Sequence, residues 1–300
     1  MSVQEFPIEE EYRKGTGVTP EDVAKLRQWL RTQPHLPEKY ITDLDIILSY
    51  HSCGGSAQVA KQLLELNYTL RTIFTSYFKD RHFDTTIENT FKKQLFAPLA
   101  ARSRAGCAVL YTQALDTDPD RFDFTNSIKA FFMYIDIWQY ETGTWPGLEL
   151  VVNMQGYGLG HVAKMDMRNL QQILHYLQEA IPFKLNKLHL IYAPSFLDRL
   201  ITIMKPFMKN EMLNIIEVHP DGFNSIAERI PLAAFPRDVG GEYKTVQQLS
   251  DEVLKKLRAS ESFLSQENRK RVSEALRPAA AGAAGALGGL DGSFKKLDID

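Results

Sequence analysis

In the first third of the chain, apolar residues recur three or four positions apart. Val23, Leu26 and Leu30 follow Thr19, a residue type suited to a helix N-cap, and Pro20, a proline suited to the first helical position. This spacing is typical of a helix that buries one face. Similar stretches follow without strand-like runs between them. The pattern therefore predicts a helical module over residues 1–80.

Two more helices are expected in this module. The second begins at Pro37 and ends before the Cys53-Gly54-Gly55 sequence, because consecutive glycines interrupt a helix. The third runs from about Ser56 to Phe78. Its apolar positions predict an inner face made of Val59, Leu63, Leu66, Leu70, Ile73 and Phe74.

From about residue 105, short apolar runs alternate with helical stretches. The runs that predict strands are CAVLY (107–111), GLELVVNM (147–154), KLHLIY (187–192) and NIIEVH (214–219). The stretches that predict helices cover residues 125–140, 165–180 and 196–212. This alternation is typical of βαβ units. It predicts an α/β domain over residues 81–245, with a mixed, mainly parallel sheet flanked by helices.

The last part of the chain changes character twice. Residues 246–276 are charged and helical in pattern, and predict a C-terminal helix. Residues 277–300 contain a Gly/Ala-rich stretch, which is typical of a flexible tether, and then the peptide FKKLDID. The spaced apolar residues of that peptide predict a short strand or a docking peptide.

Charge and composition narrow the function classes. The chain has 300 residues, 35 Lys plus Arg and 37 Asp plus Glu, so its net charge of -2 provides no general attraction to nucleic acid. The beginning, MSVQEFPIEEEYRKG, lacks the apolar stretch of a signal peptide, and no run approaches the roughly 20 apolar residues that cross a bilayer. Two cysteines are too few for a disulfide framework. We expect a soluble cytoplasmic protein with no nucleic-acid partner.

The stretch VVNMQGYGLGHVAKM (151–165) has glycines at alternate positions and invites comparison with phosphate-binding loops. Its spacing is G-x-G-x-G, and His161 and Val162 stand where a P-loop has its lysine and hydroxyl residue. We therefore interpret the glycines structurally: they give a strand-to-helix connection positive-φ freedom and close packing.

Motifs for catalysis or metal binding are missing from the sequence. The seven histidines form no HExxH or H-x-x-x-H arrangement, and His189 and His219, which lie in predicted strands, are interpreted as core or rim residues. No G-x-S-x-G elbow is present. The prediction is a protein that is not an enzyme, with no catalytic residues, no metal and no cofactor.

Apolar and aromatic residues are abundant in the predicted α/β domain. The helix over residues 196–212 is apolar nearly all round and is interrupted by Pro206. Such a helix is either sandwiched in a large core or packs one face on protein and the other on a greasy ligand. The pattern leaves both alternatives open.

The order of these elements resembles the CRAL-TRIO family, to which the tocopherol and retinaldehyde carriers belong. The matching pieces are VVNMQGYGLGH, LQEAIPFKLNKLHLIYAPSFLDRL, IMKPFM and RIPLAAFPRDVGG, and the helical module around LRQWLRTQPHLPEKYITDLDIILSYHS is similar to that of the family. The ending DGSFKKLDID is similar to the C-terminus of insect members. The resemblance implies the CRAL-TRIO lipid-binding fold, with a hydrophobic pocket floored by the sheet and closed by a mobile helix.

On this resemblance, the mobile helix, or lid, falls at about Ser195–Met212. Its candidate residues are Phe196, Leu200, Ile203, Met204 and Phe207. The candidate ligand-binding residues are Phe132, Met133, Tyr134, Ile137, Val152, His175, Leu177, Ile181, Phe183, Leu188, Leu190 and Tyr192, of which Tyr134, His175 or Tyr192 would hold a polar end. Ordinary core packing is the alternative for each of them.

The chain departs from the family pattern at two places. It has IILSYHSCGGSA where the helical module usually carries a basic patch, and only Lys184 and Lys187 remain as candidate headgroup-binding residues. Because a multiply charged headgroup needs several cations together, we do not expect phosphoinositides to trigger release. Family members also often have aspartate where Asn153 stands.

The leading hypothesis is an intracellular carrier of a retinoid, carotenoid, tocopherol or similar isoprenoid lipid that meets membranes transiently. A non-transporting adaptor or signalling module on the same fold is the alternative. It would have its pocket filled by side chains such as Phe131, Tyr134 and Trp138.

Overall fold

The computed structural model describes residues 3–278. A group of helices precedes the sheet: α1 (Ile8–Arg13), α2 (Pro20–Arg31), α3 (Asp43–Ser52), α4 (Ala57–Ile73) and α5 (Thr75–Phe78). Helix α2 begins where the sequence predicted, because the Thr19 side chain accepts a hydrogen bond from the Asp22 backbone N–H and the Asp22 carboxylate accepts one in return. Helix α3 begins six residues later than Pro37 suggested, after a three-ten turn, because Thr42 and Asp45 form a second capping box.

Within residues 3–278, five strands form one sheet in the order β1-β2-β3-β4-β5. The strands are β1 (Gln94–Pro98), β2 (Ala108–Ala114), β3 (Leu148–Asn153), β4 (Leu185–Ile191) and β5 (Ile216–His219). The pair β1–β2 is antiparallel and the other three pairs are parallel. The mixed, mainly parallel sheet is therefore confirmed. Strand β1 was not predicted, because it follows a helix directly and has no turn residues before it.

The remaining helices surround this sheet. They are α6 (Thr85–Lys93), α7 (Phe124–Thr142), α8 (Leu159–Ala163), α9 (Met167–Glu179), α10 (Leu197–Met204), α11 (Asn210–Asn214), α12 (Phe223–Ile226), α13 (Val246–Arg258) and α14 (Glu261–Glu267). The predicted C-terminal helix over residues 246–276 is therefore several shorter pieces. The predicted tether and FKKLDID peptide lie almost entirely outside the described residues.

The sheet has two covered faces, because alternate residues of a strand point to opposite sides. We call the side on which Val152 and Leu190 lie the α10 face, since α10 packs there. We call the opposite side the far face. On the far face, the Tyr111 ring packs against Phe223 of α12 and against Phe235.

Leu70 and Phe74 of the predicted inner face of the third helix are buried as expected, but other positions of that face are not. Val59 is 47% exposed, whereas Leu64 and Tyr68 belong to the core of the helical module. Asn67 and Arg71 are buried too. Their burial is tolerated because both donate hydrogen bonds to the Tyr176 hydroxyl of α9. Buried polar residues that bond across an interface cannot be recognised from apolar spacing.

Candidate functional site

Helix α10 lies over the carboxyl halves of β3 and β4. Leu197 of this helix packs with Met154 and Leu190 in a small apolar cluster that is distinct from the main core. We call it the α10 cluster. Its half-buried members are Val152, Leu188, Ala193, Leu200, Ile201 and Ile216. The cluster therefore brings together the predicted lid residue Leu200 and three predicted ligand-binding residues, Val152, Leu188 and Leu190.

The other predicted lid residues have different surroundings. Met204 and Phe207 pack against the edge of the main core, and Ile203 is 44% exposed on the outer side of α10. Phe196 is the half-buried residue before the first turn of the helix. The expected interruption of the helix over 196–212 at Pro206 is confirmed: α10 ends at Met204 and gives way to a three-ten turn at Lys205–Phe207.

An open cleft of about 500 Å³ lies beside the amino ends of β4 and β5. Leu177, Ile181 and Phe183 line it, as predicted ligand-binding residues of α9 and the segment after it. Leu63 and Met212 also line the cleft and were missed, because they come from α4 and α11, far away along the chain. Only the packing of the helical module beside α11 brings these apolar side chains together.

The two predicted headgroup-binding lysines do not lie together. Lys184 is exposed at the cleft, whereas Lys187 pairs with Glu217 at 2.6 Å on the far face. A different lysine, Lys209, reaches the cleft but pairs with Glu179. Two residues, Leu185 and Asn186, separate Lys184 from Lys187 in the sequence. Lys184 precedes β4 and Lys187 lies within it, so their side chains meet different surroundings.

The predicted ligand-binding residues of α7 lie in the main core and not in the α10 cluster. The Phe132 ring centroid is 5.0 Å from that of Phe78 and 5.1 Å from that of Tyr176. Met133 and Ile137 are fully buried. Tyr134 is also buried, and burial raises the pKa of its hydroxyl. These side chains fill the space between helices.

Two candidates for holding a polar ligand end also lie apart from the α10 cluster. Tyr192 packs against Phe223 on the far face, with ring centroids 5.7 Å apart and a positive φ of 54°. His175 is a half-buried residue of α9. Tyr134 and Tyr192 therefore lie in different surroundings, between helices and on the far face.

The glycine-rich connection has a structural role at two positions. Gly156 has a φ of +83°, and a Cβ added there would lie 2.2 Å from Thr117 Cγ2. A Cβ at Gly160 would lie 2.9 Å from Pro119. The interpretation is confirmed for Gly156, which has a positive φ and close packing, and for Gly160, which has close packing, whereas Gly158 has neither feature.

A buried serine near a histidine invites comparison with a catalytic triad. Ser103 Oγ donates to Glu149 Oε1 at 2.8 Å, and the other oxygen of Glu149 contacts His189 Nε2 at 3.2 Å. The serine thus contacts the carboxylate and not the imidazole, so this order of groups does not activate a nucleophile.

Together, the mixed sheet, the preceding helices and a short helix over an apolar sheet face define a class of α/β lipid-binding proteins. Residues 92–241, half of the chain, match the CRAL/TRIO domain family. The protein therefore belongs to this family of lipid-binding and lipid-transfer proteins. Residues 18–86 match a Pinta-like UBA domain. The resemblance inferred from sequence is confirmed.

Individual relatives are distant. Alpha-tocopherol transfer protein-like from Homo sapiens is 22% identical over 221 residues, covering 73% of this chain and 58% of that protein. Clavesin-1 from Rattus norvegicus is 21% identical over 233 residues, covering 77% of this chain and 66% of that protein. The chain thus spans 58–66% of the length of these relatives. The solved structure of Sfh5 is 13% identical, covers 97% of each chain and has a TM-score of 0.44.

Within residues 3–278, no helix combines the length and the apolar character that crossing a membrane requires.

Proposed function

We propose that this protein is a cytoplasmic carrier that binds one hydrophobic small molecule between the α10 face of the sheet and α10. The ligand class is a retinoid, carotenoid, tocopherol or similar isoprenoid. Helix α10 acts as the lid, and the ligand enters when the helix lifts near a membrane surface. The protein needs no cofactor and performs no reaction in this role.

The observation that supports a movable lid is the separateness of the α10 cluster. Leu197 and Leu200 pack on Val152 and Leu190, and that contact is distinct from the main core. Lifting the amino-terminal part of α10 therefore exposes a limited apolar surface, while Met204 at the end of the helix keeps its contact with the main core. Pro206 ends the helix, because a proline has no N–H for the helical hydrogen bond.

A second apolar space, the cleft beside the amino ends of β4 and β5, lies apart from the α10 cluster and has the size of a small-molecule site. Its volume of about 500 Å³ lies within the usual range for small-molecule pockets, and Leu177, Ile181 and Phe183 give it an apolar wall. A ligand that hides roughly 400 Å² of apolar surface gains about 10 kcal/mol at about 25 cal/mol per Å², before the cost of its lost freedom. Burial of apolar surface is therefore the main favourable contribution to binding in this proposal.

Two substitutions on opposite sides of α10 test this proposal. Leu200→Asp places a charge among the apolar side chains over the sheet, so we expect it to weaken binding of retinol or a fluorescent tocopherol analogue at least about tenfold. Ile203→Asp is the matched control, since Ile203 is 44% exposed on the outer side. It should leave equilibrium binding within about threefold of the unmodified protein. Fluorescence titration measures both.

The outcomes separate carriage from its alternatives. If Leu200→Asp lowers the free energy of unfolding by as much as it lowers the free energy of ligand binding, this residue only packs the core. If the unmodified protein binds none of the lipid probes and contains no lipid in a native mass spectrum, the proposal fails. The adaptor alternative would then take its place.

A further inference from the structure

The far face of the sheet carries a buried cluster of imidazole and carboxylate groups. His189 lies on β4, Glu217 and His219 on β5, and Glu149 on β3. His189 is fully buried, and His219 and Glu149 are buried as well. This cluster plays no part in the proposed lipid site, because α10 covers the opposite face.

One imidazole is held in a defined orientation. His189 Nε2 contacts Glu149 Oε2 at 3.2 Å, and the second oxygen of that carboxylate accepts from Ser103. The carboxylate favours a proton on Nε2, so the lone pair on His189 Nδ1 points towards His219. A carboxylate that orients an imidazole through its outer nitrogen is a common feature behind histidine metal ligands.

Three further atoms have the spacing of a tetrahedral ligand set. His189 Nδ1 lies 3.0 Å from His219 Nε2 and 3.6 Å from Glu217 Oε2, and all the candidate ligand atoms lie within 4.8 Å of one another. Zinc bonds of about 2.0–2.1 Å at tetrahedral angles separate ligand atoms by about 3.3 Å. The observed distances lie on either side of that value.

We propose that His189, His219 and Glu217 form a binding site for a divalent transition-metal ion, with zinc as the best match. Two imidazoles and one carboxylate are a ligand set that zinc accepts, and it leaves a fourth position for water. The donor set is too rich in nitrogen for calcium or magnesium, which prefer oxygen ligands.

Metal binding requires two rearrangements. Without metal, His219 Nε2–H donates to His189 Nδ1. When a metal binds, His219 carries its proton on its own Nδ1 instead, so that His219 Nε2 is free for the metal and no proton is lost overall. Glu217 must also release Arg229, whose Nε lies 2.9 Å from Glu217 Oε2. The Arg229 side chain is 53% exposed and has room to turn away, whereas Lys187 contacts the other carboxylate oxygen.

Because Arg229 and the metal compete for Glu217, substitutions of these two residues should change zinc affinity in opposite directions, which a nonspecific metal contact would not show. Glu217→Gln removes a ligand and should weaken zinc binding at least about tenfold, and His219→Gln should do the same. Arg229→Gln removes the competing cation and should strengthen binding about threefold to tenfold. His82→Gln is the matched control, because His82 pairs with Glu261 at an exposed site elsewhere on the surface. It should leave the affinity unchanged.

The experiment is isothermal titration calorimetry of the full chain with zinc chloride after dialysis against a chelator. Circular dichroism establishes that each variant remains folded, and Glu217→Gln remains informative if His219→Gln does not fold. One saturable site with the opposite effects of Glu217→Gln and Arg229→Gln supports the proposal. Absence of saturable zinc binding, or binding that Glu217→Gln leaves unchanged, overturns it. Both results are independent of lipid binding.

Discussion

The buried side chain of Asn153 uses both ends of its amide in hydrogen bonds. Its Nδ2 donates to the Tyr111 hydroxyl at 3.0 Å, and its Oδ1 accepts from the Gln155 backbone N–H at 3.0 Å. Asn153 is buried, so both groups need partners. The Tyr111 hydroxyl already donates its proton to Gln113 Oε1 at 2.6 Å, so its oxygen needs a donor, which a carboxylate could not provide. The amide therefore matches its surroundings without a salt bridge.

Asp136 is the centre of a buried ionic network. Arg71 contacts both of its carboxylate oxygens at 2.8 Å, and Arg81 contacts one at 2.6 Å. Glu267 of α14 lies 3.4 Å from Arg71. Burial alone would raise the pKa of Asp136, but the charges of the two arginines outweigh burial and hold the pKa well below its usual range. The carboxylate is therefore ionised in the folded protein.

We predict that Asp136→Asn lowers the free energy of unfolding by about 3–5 kcal/mol at pH 7, because it leaves two buried guanidinium groups without their main counter-charge. Urea denaturation measures the change. The control is Glu21→Gln, which removes an exposed pair with Lys25 and should cost less than about 1 kcal/mol. Similar losses in both variants would contradict a special role for the buried network.

The unmodified protein and Asp136→Asn should also differ in how their free energies of unfolding depend on pH. A carboxyl group with a lowered folded-state pKa stabilises the protein fully above its unfolded-state pKa of about 3.9, and that contribution is lost as the pH falls towards the folded-state value. The stability difference between the unmodified protein and Asp136→Asn should therefore be constant from pH 7 to about pH 5 and shrink below about pH 4.

At the scale of elements, the connection between β3 and α8 depends on one glycine conformation. Gly156→Ala should lower the free energy of unfolding by about 1–3 kcal/mol, because alanine is strained at a φ of +83° and its methyl group would meet Thr117. Gly158→Ala is the control in the same loop. Gly158 has a φ of -133° and no atom within 4 Å of an added Cβ, so we expect a loss below about 1 kcal/mol. Thermal or urea unfolding that ranks the two variants the other way would contradict this account.

The segment over 196–212 shows how far apolar spacing predicts an element. The spacing correctly indicated an apolar helix, and α10 packs Leu197 and Leu200 onto the sheet. Pro206 indicated the interruption that follows Met204, but the spacing did not predict that Ile203 points outward. Which apolar residues are buried depends on the direction in which the sheet lies, and the helix sequence does not contain that information.

At the scale of the whole molecule, the two lysines at the cleft and Lys187 do not form a cluster of unpaired cations. Lys184 lies at the cleft, but Lys209 is paired with Glu179, and Lys187 is paired with Glu217 on the far face. A multiply charged headgroup therefore meets few available cations, in contrast to the several that tight recognition requires.

We predict that phosphoinositide vesicles and phosphatidylserine vesicles of equal total charge bind the protein to within about twofold of each other. Vesicle sedimentation measures this, and Lys184→Gln should not change the ratio. A strong preference for phosphoinositide that Lys184→Gln abolishes would show that the cleft recognises the headgroup after all.

The sequence by itself determined the helical module, the mainly parallel sheet and the family, because apolar periodicity and local capping depend on residues close together in the chain. Thr19 and Asp22 specify the start of α2 in this way. The sequence also identified the apolar segment that becomes α10.

Tertiary structure decided which of these residues meet. It separated Phe132 and Tyr192 from the α10 cluster, and it joined Leu63 to Met212 in one cleft. It also placed His189 beside His219, thirty residues further along the chain. The physical reason is that a strand or helix fixes only the direction of its own side chains, whereas the surface that each side chain meets depends on how distant elements pack.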